Sequence, residues 1–298
     1  MSTDTPVKTF SDHPSTPQLR LPPLSCDAHV HVFGPPDRFP YNPQRNFTPA
    51  EATKETLFAL HRQLGIQRCV IVQTMVHGRD NRVVADAIAA GGGQYLGIAL
   101  VAPDIDDAGL RALADQGFRG VRFNFTRHLG TGIAPDALPA FTHRLADFGL
   151  HLQVHFESPL VHDLGPLLQR SAVPVVIDHM GRVDARDGIQ GLDFQALCRL
   201  MDNDHFWVKV SGIDRVDAQM PLSTPPYAQG IVLAHYMVER FGAQCVWGTD
   251  WPHPNHTHVP DDGGLVDALS QIAPSANALH ALLVDNPQRL YRFEGPAA

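Results

Sequence analysis

Two stretches of this chain carry residue types that could share one reacting centre. Near the N-terminus, Asp27-Ala-His-Val-His31 sets two imidazoles two residues apart. On a strand, alternate side chains share a face, so His29 and His31 would point the same way. Near the other end, the apolar run in Cys245-Val-Trp-Gly-Thr-Asp-Trp-Pro-His-Pro-Asn255 breaks at a carboxylate, Asp250, followed by an aromatic and a Pro-punctuated turn. A carboxylate delivered by a buried strand must pair with cations, hold a metal or accept a proton, because desolvation penalises a lone charge. The plainer reading is an Asp that caps the following turn. His155 and His179 end two further apolar runs. Each alone reads more simply as a hydrogen-bonded structural histidine. Together, four imidazoles and one carboxylate at separate strand ends make the donor set of a Zn²⁺-like site with a position open for water or substrate.

A second constellation is cationic. Arg122, Arg127, Arg182 and Arg215 each follow a strand-like run, and guanidinium forks bind carboxylates bidentately while staying charged. A small anionic substrate fits that set. The alternative is a series of salt bridges to Asp178, Asp184 and Asp214, with Arg215 beside Asp214 the clearest instance. His77, in His77-Gly-Arg-Asp-Asn81, either contacts substrate or lies in a turn leading to a helix N-cap at Asp80 or Asn81. His253, His256 and His258 read as a solvated loop outside the metal set. With no Gly-X-Ser-X-Gly elbow and no reactive-looking Cys motif, water is the expected attacking group.

These residues need a scaffold that brings distant strand ends together. The 298 residues, 44% hydrophobic, can bury a large core. The net charge of -8, from 23 basic and 31 acidic residues, leaves no basic patch for nucleic acid. The four Cys lie apart in apolar runs and fit buried thiols in a reducing, cytoplasmic setting. No apolar run is long enough to span a membrane, and no signal-type segment opens the chain. Residues 1–24, rich in Ser, Thr and Pro, form an extended arm; residues 25–298 form one domain. From Ser25 the pattern predicts strands at Ser25–Val32, Arg68–Gln73, Tyr95–Val101, Gly120–Phe125, His151–Phe156, Val175–Asp178, Phe206–Ser211 and Cys245–Thr249. Helical stretches alternate with most of them, and Ala276–Phe293 reads as a closing helix pair. Eight strands with polar residues at their C-terminal ends predict an α/β fold, a (β/α)8 TIM barrel, over a doubly wound sheet. Gly91-Gly-Gly93 follows a helix and marks a helix stop, not a phosphate loop.

On Asp27-Ala-His-Val-His-Val-Phe-Gly-Pro35, His77-Gly-Arg-Asp-Asn81, Gly120-Val-Arg-Phe-Asn-Phe125, Val176-Ile-Asp-His-Met-Gly-Arg182 and Trp247-Gly-Thr-Asp-Trp-Pro-His-Pro-Asn255, residues 24–293 resemble the amidohydrolase superfamily. Within it, the likeness is to lactone-opening members active in aromatic-compound breakdown. The resemblance implies a barrel of the metal-dependent hydrolase type. It also implies Asp250 as general base, His29, His31 and His179 around the reacting carbonyl, and Arg122, Arg182 and Arg215 on substrate carboxylates. Members acting on pyrone dicarboxylate are similar to this chain but carry Tyr at His155, Tyr at Phe47, Ser at Met75 and Arg at His128. His155 then completes a metal set of His29, His31, His155, His179 and Asp250 for one divalent ion, Zn²⁺ first, with metal-independent catalysis as the alternative. Arg127, His128 and His77 join the substrate set. The other exchanges move the expected substrate from pyrone dicarboxylate toward a muconolactone or sugar-acid lactone. A metal-dependent decarboxylase and a non-catalytic anion-binding barrel are the rival readings, and a homodimer is the expected assembly.

Overall fold

The computed structural model describes residues 5–126, 132–217, 226–256 and 258–294. Eight parallel strands follow one another in sheet order: β1 (Cys26–Val30), β2 (Arg68–Val72), β3 (Tyr95–Ala99), β4 (Phe118–Phe125), β5 (His151–Phe156), β6 (Val175–Ile177), β7 (Phe206–Lys209) and β8 (Cys245–Val246). Backbone bonds from Ala28 N to Trp247 O, Asp250 N to His29 O and His31 N to Trp251 O bring the β8 end back to β1. A parallel sheet that returns on itself, with helices outside, is the (β/α)8 TIM barrel.

The helices are α1 (Lys54–Leu64), α2 (Arg82–Ala90), α3 (Asp107–Asp115), α4 (Leu138–Ala146), α5 (Val161–Leu168), α6 (Leu192–Met201), α7 (Ile213–Val216), α8 (Ala228–Phe241), α9 (Asp262–Asp267), α10 (Leu269–Ile272), α11 (Ala276–His280) and α12 (Asn286–Tyr291). α1 buries Leu57, Leu60, His61 and Leu64, residues three to four apart, and stops at Gly65 with φ 80°. The sequence pattern did not single out α3, whose few apolar positions are offset by a local cap: Asp106 accepts from Gly109 N at 2.8 Å. At the other end of the 77–81 turn, Asn81 sits at the N-cap of α2 but spends its side chain on Leu100, while Asp80 accepts from Arg82 N.

Two apolar layers result. Outward strand residues such as Ile71, Val121, Val154, Ile177 and Val208 pack against the helices. A smaller inner cluster holds Ala28, Val70, Val72, Leu96, Ile98, Val176, Trp207 and Val246 together with Leu290, Tyr291 and Phe293 from the chain's end. The remaining inward positions are polar: Arg122 and Asn124 on β4, Gln153 and His155 on β5, Asp178 just past β6 and Lys209 on β7, all buried. Gly120 leaves room for this, since a Cβ there would lie 2.6 Å from His151 Nε2.

The described arm residues lie on the body. Ser15 N and Oγ bond Asp261, Gln18 N and Leu19 N bond Asp267, and Phe10 meets Trp251 edge-on at 5.2 Å. All four Cys are buried and unpaired. Among the described residues no helix is long and apolar enough to cross a membrane.

Candidate active site at the barrel mouth

Asp250 occupies the centre. It stands just past β8 with φ 66°, one of several non-glycine left-handed residues near the mouth: His179, Met180, Arg182, His253 and Asn255 are others. Such conformations cost free energy and persist where surroundings enforce them, often at functional sites. Asp27 helps enforce this one by accepting from Thr249 N at 3.0 Å and Thr249 Oγ1 at 2.6 Å.

Three imidazole nitrogens surround Asp250 Oδ1: His31 Nε2 at 3.1 Å, His29 Nε2 at 3.6 Å and His179 Nε2 at 3.7 Å. Its other oxygen accepts from Arg215 Nε, and Arg215 Nη2 also donates to Pro254 O at 2.9 Å. The sequence alternative that pairs Arg215 with Asp214 is therefore set aside: Asp214 takes His256 Nε2 at 2.5 Å instead. Burial pushes the Asp250 carboxyl up, yet Arg215 and the imidazoles outweigh it and hold the group well below the usual carboxylate range. Asp250 is thus an anion at rest.

The imidazoles face the opposite constraint. Burial, with Lys209 behind it, drives His29 well below its ordinary value; burial lowers His155 likewise and brings His179 to about 4. With neutral rings, the tautomers matter. His31 Nδ1 lies 2.7 Å from Val72 O, and a carbonyl only accepts, so Nδ1 carries a proton, and in the one-proton ring Nε2 is the lone-pair nitrogen facing Asp250 Oδ1. Two lone pairs at 3.1 Å call for a proton or a cation between them. His29 Nε2 is buried without a hydrogen-bond partner. His29, His31 and Asp250 can each offer one ligand atom within 4.8 Å of the others, and imidazole with carboxylate is a donor set suited to a divalent ion such as Zn²⁺. The residues therefore fit a metal.

His155 and His179 stay outside that compact group. His155 Nδ1 is 3.3 Å from Asn124 Oδ1, and His179 Nδ1 is 2.9 Å from Ser211 Oγ. Of the expected five-residue set, His29, His31 and Asp250 form this compact group, His179 Nε2 stands 3.7 Å from Asp250 Oδ1, and His155 and His179 both line the cavity.

That cavity, about 380 Å³, is bounded by His31, Asn46, Phe47, Thr74, Met75, Val76, Arg122, Asn124, His155, His179, Arg182, Arg215, Asp250, Pro254 and Asn255. Arg122 donates Nε to Asp178 Oδ2 at 2.8 Å. Asp184 pairs with Arg186, so it does not claim Arg182. Arg182 is lowered by burial and by its neighbour Arg215. Three guanidinium groups thus ring one side of the mouth. Arg127 and His128 lie outside the described residues. His77 spends both ring nitrogens on backbone, accepting from Gly34 N at 3.2 Å and facing Pro40 O at 3.2 Å; it braces the β1–α1 connection and lines an adjoining cavity with Met75, Arg122 and Asn124.

The expected solvated loop at 253–258 is overturned. His253 is fully buried and pairs with Asp262 at 3.1 Å; His256 pairs with Asp214, and His258 Nε2 meets Tyr227 OH at 2.8 Å. Asp262 and Asp214 outweigh burial and raise His253. Asp214 of α7, remote in sequence, and Asp262 at the start of α9, 9 residues beyond His253, make this loop a wall of the site.

Beneath the cavity lies a polar layer in which the Arg122–Asp178 pair is the salt-bridge alternative the sequence offered, while Gln153 and Lys209 were not singled out. Asp178 accepts from Arg122 and from Gln153 Nε2 at 3.1 Å, and its Oδ1 is 3.3 Å from His29 Nδ1. Burial raises Asp178, but Arg122, His29 and Lys209 override it and keep the carboxyl well below its ordinary range. Lys209 is fully buried, brought to about 8 by burial against the pull of Asp178. A lysine in the strand Phe206–Lys209 whose neighbours are apolar was the available signal.

The amidohydrolase family model matches residues 26–293. The chain is 42% identical to a 2-pyrone-4,6-dicarboxylate hydrolase of Comamonas testosteroni, an alignment covering 94% of this chain and 93% of that one. It is 37% identical to a 4-sulfomuconolactone hydrolase of Hydrogenophaga intermedia, over 91% and 89% of the two chains. A solved apo structure from Agrobacterium tumefaciens superposes with a TM-score of 0.81 at 26% identity, covering 94% of this chain and 100% of that one. With the family match spanning nearly the whole barrel and curated relatives aligned end to end, the chain belongs to the amidohydrolase family.

Proposed function

We propose that this protein is a hydrolase that opens a small anionic lactone with water activated by Asp250. The observation that carries the reading is a fully buried carboxylate facing three imidazoles on one oxygen, beside a cavity ringed by three arginines. Relatives named for pyrone-dicarboxylate and sulfomuconolactone hydrolysis support the substrate class. In each named substrate a cyclic ester carries an anionic group.

Arg122, Arg182 and Arg215 bind the substrate anion, by forked hydrogen bonds that fix the ring against the histidines. Asp250 takes a proton from water as the water oxygen attacks the lactone carbonyl. The protonated carboxyl then donates to the His31 Nε2 lone pair, which stabilises the base after it has done its work. With Ser211 donating to Nδ1, His179 presents Nε2–H to the oxygen on which negative charge develops. The ring C–O bond breaks, and the leaving alkoxide recovers the proton from Asp250. A divalent ion, Zn²⁺ first, would be held by His29, His31 and Asp250 and would supply Lewis acidity and a more acidic water.

The test is proton release. Incubation with a carboxylated pyrone and with muconolactone-type acids in a pH-stat should show acid release matched by loss of the lactone. A decarboxylase would consume protons and release carbon dioxide, and binding without turnover would return the reading to an anion-binding barrel. From the commonest symmetry of soluble assemblies we infer that the chain, one domain over 25–298, works as a homodimer.

A further inference from the structure

We infer that Lys209 is a positioning residue that donates to His29 Nδ1 and so keeps the His29 proton on Nε2, facing Asp250 and the cavity. The observation is the pocket behind His29. Lys209 Nζ lies 2.9 Å from Ala28 O, 3.3 Å from His29 Nδ1 and 3.6 Å from Asp178 Oδ1, with its side chain fully buried. An ammonium has three protons and no lone pair. Three acceptors are in reach, and His29 Nδ1 is one of them.

The competing arrangement has His29 Nδ1 donating to Asp178 Oδ1, also at 3.3 Å. Nδ1 would then no longer accept, and one proton of the fully buried ammonium would lose its protein partner, an arrangement folded proteins avoid. Asp178 Oδ2 accepts from Arg122 and Gln153, while its Oδ1 has the Lys209 ammonium 3.6 Å away as its nearest full charge. The donor count therefore favours Lys209 as the donor, and the ammonium charge serves Asp178 Oδ1 through space. An imidazole whose Nδ1 accepts has a lone pair there, so the ring's one N–H sits on Nε2.

The consequence is a choice between two roles for His29. With Nε2–H it is a buried donor whose protein partners are absent within hydrogen-bond range, ready for the oxygen of a reacting carbonyl. With a bare Nε2 it is a metal ligand. Lys209 holds the first state and opposes the second, so the ammonium sets how readily this site takes up a divalent ion.

The test uses the full chain, labelled with ¹⁵N-histidine and freed of metal, with His29→Gln to assign the His29 signals. Two-bond ¹H–¹⁵N correlation near neutral pH should place the proton on Nε2 in the unsubstituted protein. Lys209→Met should move it to Nδ1 and tighten Zn²⁺ binding, read by competition with a chromophoric chelator, by roughly 10- to 100-fold, the range for outer partners of metal-binding histidines. Lys209→Arg, which keeps a donor, should hold the Nε2–H form. Turnover rests on the lactone reading: with a hydrolysed lactone, Lys209→Met should lower kcat while leaving KM nearly unchanged, because Lys209 lies away from the arginine ring. A proton on Nδ1 in the unsubstituted protein overturns the inference even if Lys209→Met does not fold. So does a folded Lys209→Met protein with unchanged tautomer and unchanged Zn²⁺ affinity. Failure to open any lactone would overturn the proposed function while these spectroscopic and binding outcomes stand apart from it.

Discussion

Asp250→Asn separates the charge of the central residue from its shape. The amide is nearly isosteric, its carbonyl can still accept from Arg215, and its NH₂ can donate to the His31 Nε2 lone pair 3.1 Å away. Hydrogen bonding is therefore largely kept, and what is lost is the anion. Breaking a buried ion pair costs about 3–5 kcal/mol. Here the loss should be nearer 1–3 kcal/mol, because amide contacts replace part of it and the Arg215 side chain, 15% exposed, keeps Pro254 O. Turnover should fall much further, since a general base contributes roughly 10²- to 10⁴-fold. KM should move little while the arginines remain. Initial rates in a pH-stat, alongside thermal unfolding, give both numbers. The pH profile adds a second check: Asp250 lies well below 3.8 chiefly because of Arg215, so activity is lost as pH falls through that low value. Arg215→Met should move the acid limb to higher pH. A folded Asp250→Asn enzyme within about tenfold of full turnover would refute the base assignment.

Arg122→Met should raise KM more than it lowers kcat, by about 10- to 100-fold if one charge-assisted contact to substrate is lost; steady-state kinetics with the main effect on kcat would contradict it. Acid should destabilise the fold earlier than carboxylates alone would. His179 at about 4 and His151 at about 3 have folded values below the ordinary imidazole value, with His29 and His155 lowered too and His253 raised. A neutral buried imidazole contributes stability above about pH 6.5 and loses up to about 1.4 kcal/mol per pH unit below it, until its folded value is reached. Denaturant midpoints should therefore fall between about pH 6.5 and 5, where Asp178 and Asp250 are still ionised; a flat profile there would count against it. Gly248→Ala places a Cβ 2.5 Å from His29 N and 2.8 Å from Asp27 Oδ1, and overpacking of this kind costs about 1–3 kcal/mol. An unchanged melting temperature would show that the β1–β8 closure can yield.

Periodicity together with the polar residues at strand ends carried the barrel. Each of the eight strands was legible because buried parallel strands are short apolar runs bounded by turns, and the residues at their ends, His29, His31, Arg122, His155, His179 and Asp250, broke those runs visibly. What the sequence by itself could not decide was pairing. Whether Arg215 turns to Asp214 or to Asp250, and whether His253 meets water or Asp262, depend on how separate elements pack, over 35 residues in the first case and 9 in the second. Tertiary structure also set the spacing around Asp250, bringing His29, His31 and Asp250 within ligand reach of one another while Asn124 and Ser211 engaged Nδ1 of His155 and His179. Lys209 is the sharpest case. In sequence it is one charge after an apolar strand; only barrel closure sets its ammonium among Ala28 O, His29 and Asp178, where low dielectric makes every proton's partner count.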